Sequence, residues 1–309
     1  MRLDVICIGM ALVDSIIRGF DPKPVSASGY RAESGSLNVG GEAVNEAVAA
    51  SKLGLRTGIL CSLGNDPAGE MVLGELKRNG VDARVVMRDR STPVTTMFVR
   101  EDGTRQSITN MSHTFNYHPE TEPSKFTDAR ALIIGSLFRA PFDDPEVIRK
   151  VLTSAREAGM LVIADTKLPN SRFLTLDDIG DSVPLIDYIT PNEDEARYYT
   201  GCDDPEEMAE KILSYGAKNV VIKLGSKGCL FRNREETIRL DAFSIDAVDA
   251  TGAGDNFAAG LCSEILRGAE IRDALKFANA CGAICTTAVG AGTALKSREQ
   301  VLAFLEERA

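Results

Sequence analysis

Short β-branched runs alternate with longer stretches in which apolar residues recur at helical spacing through most of the chain. That rhythm predicts βαβ units and a mainly parallel central sheet covered by helices, an α/β three-layer sandwich. LDVICIG, RTGILCSLG, ALIIGS, MLVIAD, DYIT and NVVIKLG are the predicted strands. Between them GEAVNEAVAASKLG predicts a helix ending at Gly54, and PAGEMVLGELKRNG one opened by Pro67 and closed by Gly80. DPEVIRKVLTSAREAG and NEDEARYYTG predict two more. CLFRN and TIRLDA read as antiparallel additions at a sheet edge, and three helices close the chain.

Two stretches break the rhythm. Residues 18–40 carry Gly, Pro and Ser with little periodicity, and TTMFVREDGTRQSITN, within 92–112, alternates about the Asp102-Gly103 pair as a hairpin does. A small β-rich lid inserted into the main domain accounts for both, and a decorated sheet edge is the alternative. With no internal repeat or flexible linker, residues 1–309 read as a single domain.

Charge and cysteine content narrow the partners. The 35 Lys+Arg and 45 Asp+Glu give a net charge of -10, which argues against a nucleic acid or an anionic membrane as partner, so any phosphate must be gripped locally. The seven cysteines are scattered through apolar runs and lack the short paired spacings of a zinc site. Cys281 and Cys285 share a helix face, but neither His113 nor His118 is near them in sequence, so they read as core packing. The opening segment, with Asp4 and Asp14 inside it, is too short an apolar run for a signal peptide or membrane span; a soluble cytoplasmic protein is expected.

The most informative stretch is DAVDATGAGDNFAAG, residues 246–260. Gly252, Ala253 and Gly254 allow a tight turn into a helix whose buried face includes Phe257, Ala258, Leu261 and Ile265. The free N–H groups of such a helix start form an anion site. A carboxylate, Asp255, beside that site is awkward for binding phosphate alone but apt as a general base for a hydroxyl, with the amides stabilising a phosphoryl group in transfer. The alternative is that Asp255 merely caps its helix. Neither GxxxxGK[ST] nor, in this stretch, GxGxxG is present.

VDATGAGDNFAAG resembles the C-terminal signature of the ribokinase-like (PfkB) carbohydrate kinases, and GGEAVNEAVAASKLG followed by LGNDPAGEMVLGEL resembles their N-terminal one. The likeness runs from residue 3 to about 305 with the motifs in order. It implies ATP and Mg²⁺, with Asp255 as base and Gly252, Ala253 and Gly254 as the anion hole. By the same resemblance Asp14, Gly40, Gly41 and Asn45 bind the sugar. Asn192 and Glu195, of the N-x-x-E pattern, order the waters around Mg²⁺, although the pair is also a helix-capping box. Lys223, Gly225, Gly228 and Asn279 fall where the nucleotide binds; Lys223 also reads as a solvated strand end and Asn279 as a turn partner. Asp249 and residues 288–293 match a segment that holds K⁺ in some relatives.

The acceptor is less defined. Asp165, Lys167 and Arg172 stand where relatives carry specificity residues, with Arg100, Arg105 and Arg139 as further candidates. Lys167 fits an anionic acceptor, such as a keto-acid sugar or sugar phosphate, or a surface ion pair. The expected reaction is transfer of the γ-phosphoryl group of ATP to a primary hydroxyl of a ribose- or fructose-like sugar, a nucleoside being the variant within the family. A non-catalytic sugar or nucleotide sensor is the rival from another class, and a dinucleotide-dependent oxidoreductase lacks its glycine fingerprint after the first strand. Met97, Phe98 and Ile108 on the hairpin permit a homodimer through the lid.

Overall fold

The computed structural model describes residues 2–19, 32–88, 90–100, 105–110 and 117–308. In chain order the elements are β1 (Leu3–Ile8), β2 (Leu12–Arg18), β3 (Ser34–Gly40), α1 (Glu42–Lys52), β4 (Thr57–Gly64), α2 (Pro67–Arg78), β5 (Asp82–Arg88), β6 (Val94–Val99), β7 (Arg105–Thr109) and β8 (Ala129–Leu137). There follow α3 (Pro145–Glu157), β9 (Leu161–Thr166), β10 (Tyr188–Ile189), α4 (Glu193–Thr200), α5 (Pro205–Ser214), β11 (Asn219–Lys223), β12 (Cys229–Arg232), β13 (Thr237–Leu240), α6 (Ala253–Arg267), α7 (Ile271–Cys285) and α8 (Arg298–Glu306).

Among the described residues nine strands form the main sheet, in the order β13-β12-β11-β10-β9-β8-β1-β4-β5. All neighbours from β11 to β5 run parallel, and β12 and β13 add antiparallel at the edge as the sequence predicts. Alternation along β1 shows why helices cover both faces. Val5 and Cys7 pack with α1, α2, α6, α7 and α8, whereas Ile6 and Ile8 pack with α3, α4 and α5. All four are fully buried, and each large aliphatic chain so removed from water contributes about 1.5–3 kcal/mol.

A second sheet, of four strands among the described residues, β3-β2-β6-β7, stands apart from the first. β6 and β7 pair antiparallel, Thr95 opposite Thr109, as the hairpin pattern predicts; the Asp102-Gly103 turn itself lies outside the described residues, as do residues 20–31 and His113. The small sheet begins earlier than expected. β2 pairs with β3 and runs parallel to β6, so residues 12–18 belong to it. Residues 9–11, with Gly9 at φ 155°, break the chain between the two strands, but the sheet that β2 joins is set by this non-local pairing and not by a local pattern. Two further elements are absent from the sequence reading: β5, a one-sided edge strand, and α5, a short helix capped by Asp204.

Candidate active site

Parallel α/β sheets leave their ligand crevice at the carboxyl ends of the strands. Here a cleft of about 1390 Å³ opens there, roofed by Thr95, Ser107 and Thr109 of the small sheet and floored by the start of α6. Gly252 is the N-cap of α6, at φ 77°, and no side chain caps the turn. A Cβ on Gly252 would run into Ala291, so glycine is required both for its backbone angle and for room. The start of α6, from Gly252 to Asp255, lines the cleft with a helix N-terminus, the Ala253 N–H there donating to the Ala250 carbonyl at 3.3 Å.

Asp255 is 4 % exposed and lies on the cleft wall one residue past Gly254. Asn45 Nδ2 of α1 donates to its Oδ2 at 2.7 Å, and Lys167 Nζ stands 3.9 Å from its Oδ1. Burial pushes the Asp255 carboxyl up to about 6, against the opposing charge of Lys167 and with Glu42 and Asp165 adding to the rise. A carboxyl held there can take up and release a proton near neutrality.

Beneath it is a group the sequence reading missed. Carboxylate oxygens of Glu46, Asp165 and Asp255 lie within 4.8 Å of one another. Glu46 and Asp165 are fully buried, and neither Glu46 oxygen nor Asp165 Oδ2 has a hydrogen-bond partner among the described residues. Burial, then Asp255 and Asp165, push the Glu46 carboxyl well above its ordinary value. The signal in the sequence was an acid on the apolar face of α1, four residues after Glu42, which also lines the cleft.

The predicted sugar-binding residues divide. Asp14 and Asn45 line the cleft, Asp14 raised to about 6 by burial and by Glu42 and Asp249. Gly41, at φ 96°, starts α1 on the cleft wall, where a Cβ would sit 2.5 Å from the Met10 carbonyl. Gly40 ends β3 against the Asp14 side chain. The residues predicted to bind nucleotide, Lys223, Gly225, Gly228 and Asn279, all line the cleft. Lys223 is not a solvated strand end: its ammonium donates to the buried Asp165 carboxylate, which Thr190 Oγ1 also bonds at 2.9 Å. Asn279 Nδ2 donates to Cys229 Sγ at 3.4 Å.

Asn192 and Glu195 do form a capping box, each side chain accepting from the other's backbone N–H at 2.9 Å. Thr166 Oγ1 adds a bond of 2.9 Å to Glu195 Oε2, and burial raises the Glu195 carboxyl with Lys223 opposing. Asn192 lines the cleft, with Glu195 buried behind it. Asp249 is buried: its Oδ1 accepts from the Thr251 amide and hydroxyl, its Oδ2 from the Gly290 amide, and Arg18 Nη2 stands 4.0 Å away. Of the basic candidates, Lys167, Arg139 and Arg172 line the cleft, while Arg100 and Arg105 belong to the β6–β7 hairpin. Among the described residues the ion pairs of Lys167 are not at the surface but with Asp255 and Glu42, both at the cleft.

The model described as pfkB family carbohydrate kinase matches residues 3–298. The chain belongs to the pfkB family of carbohydrate kinases. As a pfkB carbohydrate kinase it is a phosphotransferase acting on an alcohol group of a sugar. It is 31% identical over 284 residues to the protein named Probable fructokinase-4 of Arabidopsis thaliana, covering 86% of this chain and 87% of that one. Identity to the 2-dehydro-3-deoxygluconokinase of Bacillus subtilis (strain 168) is 28% over 289 residues, 87% of each. Among solved structures, the Arabidopsis thaliana ribokinase complexed with ribose and ATP superposes with a TM-score of 0.85 at 24% identity, covering 99% of both chains. The Thermotoga maritima ribokinase gives 0.81 at 25%, covering 98% and 99%. The ribokinase-like three-layer fold with its small β sheet is therefore established for this pfkB kinase. No helix among its described residues is long and apolar enough to cross a membrane.

Proposed function

We propose that the chain transfers the γ-phosphoryl group of ATP to a primary hydroxyl of a neutral sugar of the fructose or ribose kind. The observation that carries this reading is the Asp255 carboxylate, buried at the cleft floor directly behind the uncapped Gly252-Ala253-Gly254 turn. Asp255 takes the proton of the sugar hydroxyl as that oxygen bonds to the γ-phosphorus, and the bond to the bridging oxygen breaks, its electron pair leaving with ADP. The turn amides hold the charge on the phosphoryl oxygens. Asn45, through its 2.7 Å bond, fixes the base.

The charges around the acceptor end favour a neutral sugar. Asp14 and Glu42 face it, Lys167 already sits between Asp255 and Glu42, and Arg172 is paired with Asp144 at 2.6 Å. An anionic acceptor would be repelled by Asp14, Glu42 and Asp255 on the same wall. Asp14 and Asn45 supply hydroxyl partners, Gly41 lets the backbone approach, and Gly40 keeps clear the space beside Asp14. Gly225, Gly228 and Asn279 form the nucleotide wall, and Lys223 brings a cation next to Gly254.

The oxygen-rich set of Asn192, Glu195 and Asp165, whose Oδ2 is buried without a partner, suits a hydrated Mg²⁺. Mg²⁺ would neutralise phosphate charge, and these residues would hold its waters. Asp249 already accepts from Thr251 and Gly290 and has the Arg18 guanidinium 4.0 Å away, which reduces its need for K⁺.

ATP consumption measured over free sugars, sugar acids, sugar phosphates and nucleosides tests the reading. Turnover with a neutral ketose or pentose is expected; turnover with only an acidic or phosphorylated acceptor would overturn the substrate class. Asp255→Asn should retain the fold and ATP binding but lose at least ~10² in kcat, the low end for a positioned base. Near-normal turnover in that variant would remove the mechanism.

A further inference from the structure

Among the described residues two lysines, Lys167 and Lys223, line the cleft, and they are used differently. Lys223 lies at the end of β11 and donates directly to Asp165. Lys167, one residue past β9, has its Nζ 3.9 Å from Asp255 Oδ1 and 3.8 Å from Glu42 Oε1, and makes no side-chain hydrogen bond among the described residues. Its side chain is 23% exposed, and that exposure is to the cleft. The ammonium thus keeps its three donors directed to the cleft, where a ligand oxygen can take them in place of water.

The distances fit a ligand oxygen. An oxygen at ordinary hydrogen-bond length, about 2.8 Å, from both Asp255 Oδ1 and Lys167 Nζ closes a triangle whose third side is the observed 3.9 Å. The acceptor hydroxyl must stand at such a distance from the base, which puts the oxygens of the incoming phosphoryl group within reach of the same ammonium. The Gly252–Gly254 amides supply positive potential from the helix end, and Lys167 supplies it from the tip of β9.

We infer that Lys167 is a catalytic residue that donates to an equatorial oxygen of the phosphoryl group during transfer. In a loose transition state those oxygens carry the charge, so the contact strengthens as the group leaves ADP. Lys167 would thus raise kcat, and binding of the sugar in its ground state would gain little. This rests on the phosphoryl-transfer reading above.

Lys167 also faces Asp255 and Glu42, with Asp165, Glu195 and Glu46 behind them, and its charge opposes the rise of the Asp255 carboxyl to about 6. Burial disfavours the ammonium, but those acids outweigh it and keep Lys167 protonated. A residue that merely kept the base ionised would act through Asp255 alone, and the pH profile separates the two roles. In wild type, kcat should fall as pH drops through about 6, where Asp255 takes up its proton. Lys167→Met should move that limb to higher pH and, in addition, leave the alkaline plateau lower by at least ~10², the loss typical of one missing oxyanion donor. KM for the sugar should change little.

Recovery of wild-type kcat on the plateau would overturn the inference, as would a loss confined to KM. Removing Lys167 leaves Asp255 and Glu42 close together and uncompensated, so the Lys167→Met, Glu42→Gln double variant provides a folded alternative, read against Glu42→Gln alone with the same expected loss. The comparison is made between variants of an active enzyme. Inactive wild type in the sugar screen would instead sink the kinase reading.

Discussion

Glu46 is an acid where the inner face of α1 is otherwise built from Ala43, Ala47 and Ala50, and no donor meets it among the described residues. Burial and the neighbouring Asp255 and Asp165 hold its folded-state pKa well above the ordinary 4.5. As pH rises from that value the unfolded chain loses a proton that the native chain keeps, so Glu46 lowers stability progressively toward alkaline pH. Glu46→Gln removes that slope. Its thermal midpoint at pH 8 should exceed wild type by at least about 2 °C, roughly what 1 kcal/mol gives a chain of this size, with no gain near pH 4. A variant that melts lower than wild type at pH 8 would contradict this. Single residues were unevenly legible in the sequence. Asp255 announces itself because its turn, anion site and apolar helix are contiguous, whereas the nearness of Glu46, Asp165 and Lys167 to it arises only when α1, the end of β9 and the start of α6 converge. Lys223 read ambiguously for the same reason, since its partner Asp165 is 58 residues away.

At the level of elements, the turn before α6 is braced from outside. Asp249 binds Thr251 and Gly290, and Arg18 at the end of β2 extends its guanidinium toward the same carboxylate. A positive group belonging to the protein already serves this acid, so turnover should be unchanged when K⁺ is replaced by Na⁺ in the assay. Strong activation by K⁺ over Na⁺ would show that the carboxylate rearranges to admit an ion. Elements with their own punctuation were readable: α2 from Pro67 to the Gly80 stop, α4 from its capping box, and the β6–β7 strands from alternation. β2 was not, because its seven residues can continue a first strand as well as start a new sheet, and the choice is made by pairing with β3 and β6.

Across the whole molecule the cleft joins two bodies with different tasks. Asp14, Thr95, Ser107 and Thr109 reach it from the small sheet, whereas Gly225, Gly228 and Asn279 belong to the main body. Sugar binding should therefore tie the sheets together and slow amide exchange in β2 and β6, while nucleotide alone should leave those amides near their free rates. Equal protection by nucleotide alone would contradict that division. The three-layer body was legible from periodicity because each layer is built from local patterns, but the placement of the small sheet over the strand ends was not, since contacts between segments distant in the chain decide it. The same topology governs when the protein can first act. A chain emerging from the ribosome acquires Asp14 and Asn45 early, and Lys167 midway, yet the amide turn and its acid come only at residues 252–255. On the proposed mechanism a polypeptide still short of residue 255 has the sugar's hydroxyl partners but neither phosphate cradle nor base, so an unfinished translation product cannot transfer phosphate by this route.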